Sequence, residues 1–259
     1  MADTTTPTQS TLEVSLALSG GAVRGSFHLG FIQALQESNV AIKAISGSSA
    51  GAIVGGAIAC GLKPKKILKI LQSKEFKKVF APNWFQTSLL TIDTKNSVFS
   101  QLFPRDDLSQ TDIPFYACVV DINTNEAFFR NSGDGQTLIL ASSSLIPFFA
   151  PVEFEGRTLV DGGFLELLPT TPLLTLPYPI LSINLHPHFS ITKKSSFKKV
   201  TQKAFDFLIT SNAKKDEKNS TWYISPNELK DIRMHSLKDL QKGYDLGYKF
   251  GQKWCKITL

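Results

Sequence analysis

Leu12, Val14, Leu16 and Leu18 alternate with Glu13, Ser15 and Ala17, the two-residue period of a strand with one buried face, and the run stops at Ser19-Gly20-Gly21. From Gly25 to Ser38 the chain reads as a helix, with Asn39 as its stop. The same order then recurs: Ala41 to Ile45 as a short strand, GSSAG as a turn, and Ala52 to Cys60 as a helix ended by Gly61. Repeated strand, turn and helix units predict a largely parallel sheet with helices on its faces.

Beyond Pro64 a lysine-rich helix is expected. The segment 82–100, with Trp84, Phe85, Leu89 and Leu90, has no clear period, which fits an entrance lid as well as an ordinary loop. Phe115 to Asp121 is a buried strand by its β-branched and aromatic content, and Glu126 to Arg130 is its neighbour across an Asn-Thr-Asn turn. Thr158 to Val160 leads into Asp161-Gly162-Gly163, four prolines between 169 and 179 break the chain, and Ile180 to Leu185 reads as the last clear strand. With no internal repeat and no linker, residues 12–259 are expected to form a single domain behind a flexible tail, 1–11.

Composition narrows the field. A content of 42% hydrophobic and 19% charged residues is that of a globular protein rather than a disordered or membrane-embedded one. The longest run without a charged or strongly polar residue, Ala50 to Leu62, is too short to span a bilayer, and the start MADTTTPTQST lacks the basic and apolar parts of a secretory signal, so a cytoplasmic location is expected. Cys60, Cys118 and Cys255 are odd in number and widely spaced, which fits reduced core thiols better than disulfides or a metal site.

The net charge of +6 is local: residues 62–80 and 193–218 hold fifteen of the 28 basic residues and four of the 22 acids, so the rest of the chain is net acidic. Within the second stretch Phe197, Val200, Ala204 and Phe207 recur at helical spacing, with Lys198, Lys199 and Lys203 on another face. Such a helix suits an anionic membrane surface, or is simply a solvated face. Neither stretch carries a nucleic-acid reading motif, so nucleic acid is not an expected partner.

Gly47-Ser48-Ser49-Ala50-Gly51 fits Gly-x-Ser-x-Gly in one register, with Ser49 as the nucleophile candidate. A serine on a strand-to-helix turn needs unusual backbone angles, and small flanking residues let strand and helix approach. The competing reading is a small-residue helix that merely packs closely. As a base, His28, His186, His188 and His235 each lack a motif, although a Ser-His-Asp arrangement through His186 or His188 stays open. Asp161 in LVDGG is the stronger candidate, against the reading that Asp-Gly is only a turn. SGGAVRG, residues 19–25, fails both nucleotide patterns and leaves a loop whose N–H groups suit an oxyanion, with Arg24 to orient it or attract an anionic head group.

SGGAVRGSFHLGFIQAL, ISGSSAGAIVGGAIACG, ASSSLIPFFAPV and LVDGG, in this order, resemble the patatin-like phospholipase family in its compact bacterial form, over roughly residues 14–185. The resemblance implies a three-layer α/β/α fold with a largely parallel central sheet. It also implies a lipid acyl hydrolase with Ser49 as nucleophile and Asp161 (followed by Gly162 and Gly163) as base, and no histidine, metal or organic cofactor. The family's glycine-rich oxyanion loop maps onto Gly20, Gly21, Ala22, Val23, Arg24 and Gly25, with Ala22 standing where many members have a third glycine. The alternative is a non-catalytic lipid-binding or interaction protein that keeps the fold.

Overall fold

The structure, a computed structural model, describes residues 11–82, 88–93, 96–187, 190–193, 195–210 and 213–259. Its strands are β1 (Glu13–Leu18), β2 (Ala41–Gly47), β3 (Phe80–Pro82), β4 (Leu90–Ile92), β5 (Phe115–Asp121), β6 (Glu126–Arg130), β7 (Val152–Phe154), β8 (Arg157–Asp161), β9 (Ile180–Ile183) and β10 (Trp222–Ile224). The helices are α1 (Ser26–Glu37), α2 (Ala50–Ala59), α3 (Pro64–Leu71), α4 (Lys74–Lys78), α5 (Ser97–Leu102), α6 (Gly135–Ser142), α7 (Phe197–Thr210), α8 (Ala213–Lys218) and α9 (Leu240–Thr258).

The main sheet runs β10-β9-β1-β2-β5-β8-β7, with β6 also paired to β5. Its first five strands are mutually parallel, while β6, β7 and β8 pair antiparallel. The parallel part comes from helical crossovers such as β1-α1-β2, the antiparallel part from short turns such as the one holding Asn125 at φ 56°. The mostly parallel sheet of the expected α/β fold is therefore present.

Side-chain alternation splits the sheet into two unequal faces. Leu16, Leu18, Ile45, Phe115, Leu181 and Ile183 join the larger core with apolar residues of α1, α2, α3 and α9. On the other face the shorter Ala17 and Ala44, with Ile180, meet Leu168 and Leu173, so this layer is thin and built partly from non-helical chain. Several elements were not expected from the sequence, two of them bearing on the site. Strand β10, beyond Ile180 to Leu185, extends the sheet, and α9 packs along α1.

One detail of pairing positions the site. Strands β6 and β8 both pair Val119–Asp121, so they lie on opposite edges of β5, and β2 and β6 both pair Ala117, so they do too. Strands β2 and β8 therefore share one edge of β5. Gly47 at the end of β2 faces Ala117 and Asp161 at the end of β8 faces Val119. Two residues of strand separate these partners, about 7 Å.

Candidate active site

Past Gly47 the chain turns sharply. Ser48 N–H donates to the Leu18 carbonyl (3.2 Å), Ser49 takes φ 54° and ψ −123°, and α2 begins at Ala50. A methyl group on Gly51 would overlap the Leu18 carbonyl oxygen, so the turn crosses the end of β1 at backbone contact. Close packing and a raised serine are thus one geometry. Left-handed angles are costly for serine and need outside support. Ser49 N–H donates to both the carbonyl (3.0 Å) and the hydroxyl (3.1 Å) of Ser142, and the Ser143 hydroxyl donates to the Ser49 carbonyl (3.3 Å). Half-buried Ser49 stands at the N-terminus of α2, where aligned peptide dipoles favour negative charge.

Asp161, the last residue of β8, is 3% exposed. Its Oδ1 accepts the Gly163 N–H (2.8 Å), and the Ser49 side chain lies near enough to favour its charged form. Asp161 thus caps a turn, as the Asp-Gly reading expects, and is buried besides. Burial pushes its pKa up to about 6, against the opposing pull of the Gly163 N–H and the Ser49 side chain. At neutral pH the group is ionised but basic enough to take a proton.

The loop 19–25 lies against this pair. Ser19 binds it to the end of β9, donating its N–H to Ile183 (3.1 Å) and accepting the Leu185 N–H on its hydroxyl (2.9 Å). A methyl on Gly20 would sit 3.0 Å from Ser49 Cβ. Gly21 has φ 155°, and a side chain there would press on Leu185, whereas Ala22 holds φ 49° without being glycine. Among the described residues, the N–H groups of Gly21, Ala22 and Ala50 meet no protein acceptor, which leaves them available to an anion. Val23 N–H donates to Met234 (3.1 Å). Arg24 is buried and turned inward: Nε donates to the Ile232 carbonyl (3.1 Å) and Nη1 to that of Leu185 (3.3 Å). Of its two sequence-level roles the geometry supports orienting the loop.

The histidines occupy different surroundings. His28 is wholly buried, bonded to the Ser19 carbonyl (3.0 Å), and burial lowers its pKa to about 4, so it stays neutral. His186 is buried with its backbone N–H on Asn184 Oδ1 (3.0 Å), His235 is exposed, and His188 lies outside the described residues. All three cysteines are buried and free. Trp84 and Phe85 of the lid segment also lie outside the described residues, and no described helix is long and apolar enough to cross a membrane.

Sequence reasoning gave no role to ASSS at 141–144, although Ser142 and Ser143 hold the Ser49 backbone and the Ser144 carbonyl accepts the Asp161 N–H (3.1 Å). These partners lie far away along the chain, so no local pattern marks them.

Fold and site together define an α/β protein in which a serine elbow, a buried carboxylate and a glycine loop meet at the ends of adjacent strands. The chain belongs to the patatin-like phospholipase family, whose model matches residues 16–174. It is 32% identical over 162 residues to an uncharacterized NTE family protein of Mycobacterium bovis, covering 62% of this chain and 45% of that one. Over 173 residues it is 30% identical to the lysophospholipase NTE1 of Mycosarcoma maydis, covering 64% of this chain and 9% of the fungal protein. The chain thus spans less than half the length of these relatives. In fold it resembles VipD of Legionella pneumophila, with a TM-score of 0.60 and 14% identity over 94% of this chain and 67% of VipD.

Proposed function

We propose that the protein is a lipid acyl hydrolase that works through a covalent acyl-serine. The carrying observation is that the elbow serine Ser49 and the buried Asp161 carboxylate come together at the ends of β2 and β8, next to loop amides without protein acceptors among the described residues. Asp161 takes the hydroxyl proton as Ser49 Oγ bonds to the ester carbonyl carbon, and the N–H groups of Gly21, Ala22 and Ala50 hold the oxyanion. Collapse expels the alcohol, which receives the proton from Asp161. Water, deprotonated by Asp161, attacks the acyl-serine, and Ser49 leaves with the proton as the fatty acid is released. Family membership and the fungal lysophospholipase support lipid esters as the substrate class. Contact of the lysine-rich stretches with an anionic lipid surface belongs to the same reading.

Ser49→Ala is expected to abolish turnover of p-nitrophenyl butyrate and of phosphatidylcholine while the far-ultraviolet circular dichroism stays unchanged; full activity in that variant sinks the assignment. Joint replacement of His186 and His188 leaves turnover near normal if the base is Asp161, and destroys it if a histidine is. A non-catalytic lipid-binding protein is the second reading, favoured by the outward apolar residues of α7, and it predicts vesicle binding without turnover of any ester.

A further inference from the structure

The two lysine-rich segments fold in opposite senses. In α3, Ile67, Leu68, Ile70 and Leu71 are buried and Lys65, Lys66 and Lys69 face water, the usual division of an amphipathic helix. In α7 the apolar stripe itself faces out: Phe197 is 87% exposed, Val200 40% and Phe207 66%, with Ala204 exposed between them. Spacings of three, four and three residues put these four on one side of the helix. Two phenylalanines so exposed on one helix face are unfavourable in water and mark an interaction surface.

Its place in the fold narrows the partner. Helix α7 packs on the Gly162–Phe164 turn that follows Asp161. A second pair of exposed apolar residues, Leu89 (61%) and Phe148 (45%), is joined by hydrogen bonds from Leu89 N–H to Pro147 and from Leu90 N–H to Phe148, on the chain that continues from Ser142–Ser144. Outward apolar groups thus sit on the helix that contacts the turn after Asp161 and beside the chain that continues from the serines holding the Ser49 and Asp161 backbones. The stripe also belongs to residues 193–218, with eight lysines and three acids. An outward apolar stripe within a net basic segment matches an anionic lipid surface better than an acidic or apolar protein groove alone.

We propose that α7 is an interfacial anchor whose Phe197, Val200, Ala204 and Phe207 enter the surface of an anionic lipid aggregate and bring the Ser49–Asp161 site to its substrate. The choice of partner rests on the lipid hydrolase reading and deepens it. The anchor is hydrophobic once seated, so binding that charge initiates is only partly reversed by salt.

The test uses the double variant Phe197→Ser/Phe207→Ser and, separately, Ser49→Ala, each sedimented with vesicles of phosphatidylcholine alone or mixed with phosphatidylglycerol. Parent and Ser49→Ala proteins are expected to bind the mixed vesicles equally. The double variant is expected to bind them about tenfold or more weakly, yet hydrolyse monomeric p-nitrophenyl butyrate at the parent rate. Undiminished vesicle binding by the double variant overturns the proposal. So does a parent that ignores vesicles but runs as a dimer in gel filtration, which the double variant converts to monomer. Full ester turnover by Ser49→Ala would remove the Ser49 assignment, and no ester turnover by the parent would remove the hydrolase reading; either outcome leaves the vesicle result standing, so the failures are told apart.

Discussion

Burial raises the Asp161 pKa to about 6, and that displacement ties activity and stability to pH in opposite directions. If the ionised carboxylate is the base, ester turnover falls about tenfold per pH unit below 6. Stability runs the other way: the folded-state value lies above the ordinary 3.8, so the folded protein binds the proton more tightly than the unfolded chain. The resulting destabilisation is absent below the unfolded value, grows as pH rises between the two, and is complete above 6, at roughly 3 kcal/mol. Asp161→Asn should therefore lose about a hundredfold to ten-thousandfold in rate while gaining stability relative to the parent in urea unfolding at about pH 8, a gain that shrinks toward pH 4. Ala22 poses a milder problem. It is exposed and holds φ 49°, so Ala22→Gly relieves backbone strain without emptying any space. A rise of about 1 kcal/mol in stability is expected, read by thermal unfolding, with ester turnover kept because the N–H remains.

At the scale of elements, legibility followed locality. The run β1, loop, α1 and the run β2, elbow, α2 were readable because period-two alternation, small residues and a helical stretch occur within a few dozen positions, and β5 with β6 because a short turn joins them. Helix α9 was not readable. Gly243, Gly247 and Gly251 lower its intrinsic helix propensity, and their use appears only against α1, where a methyl on Gly247 would overlap the Phe27 carbonyl oxygen and one on Gly30 the Tyr244 carbonyl oxygen. The two backbones touch, so a distant partner rather than local preference decides that α9 is a helix. This fixes the sign of an experiment. Propensity alone says that Gly247→Ala stabilises by about 1 kcal/mol; overpacking says that it destabilises by about 1 to 3 kcal/mol. Urea unfolding with an unchanged denaturant slope is expected to give the second result.

Across the whole molecule the candidate site draws on more of the chain than its motifs. The family match ends at residue 174, yet the loop 19–25 is fastened by Ile183 and Leu185 on one side and by Ile232 and Met234 on the other. The elbow, the carboxylate and the loop were legible because each is a short motif; their fastenings were not, because Arg24 reaches a carbonyl 208 positions away and a carbonyl carries no sequence signature. The C-terminal segment should accordingly matter for turnover and not only for folding. Ile232 and Ile67 are both fully buried, but Ile67 lies in α3, and only Ile232 accepts the Arg24 guanidinium through its own backbone. Cutting either side chain to alanine opens a cavity of the same chemistry, costing about 2 to 5 kcal/mol. If residues 232–234 serve stability alone, Ile232→Ala and Ile67→Ala, compared at equal stability and well below their melting temperatures, hydrolyse ester at the same kcat. If they hold the loop, kcat falls in Ile232→Ala and is kept in Ile67→Ala, because a small shift of the Gly21 and Ala22 amides weakens the oxyanion contact that the reaction depends on. The second result is the expected one.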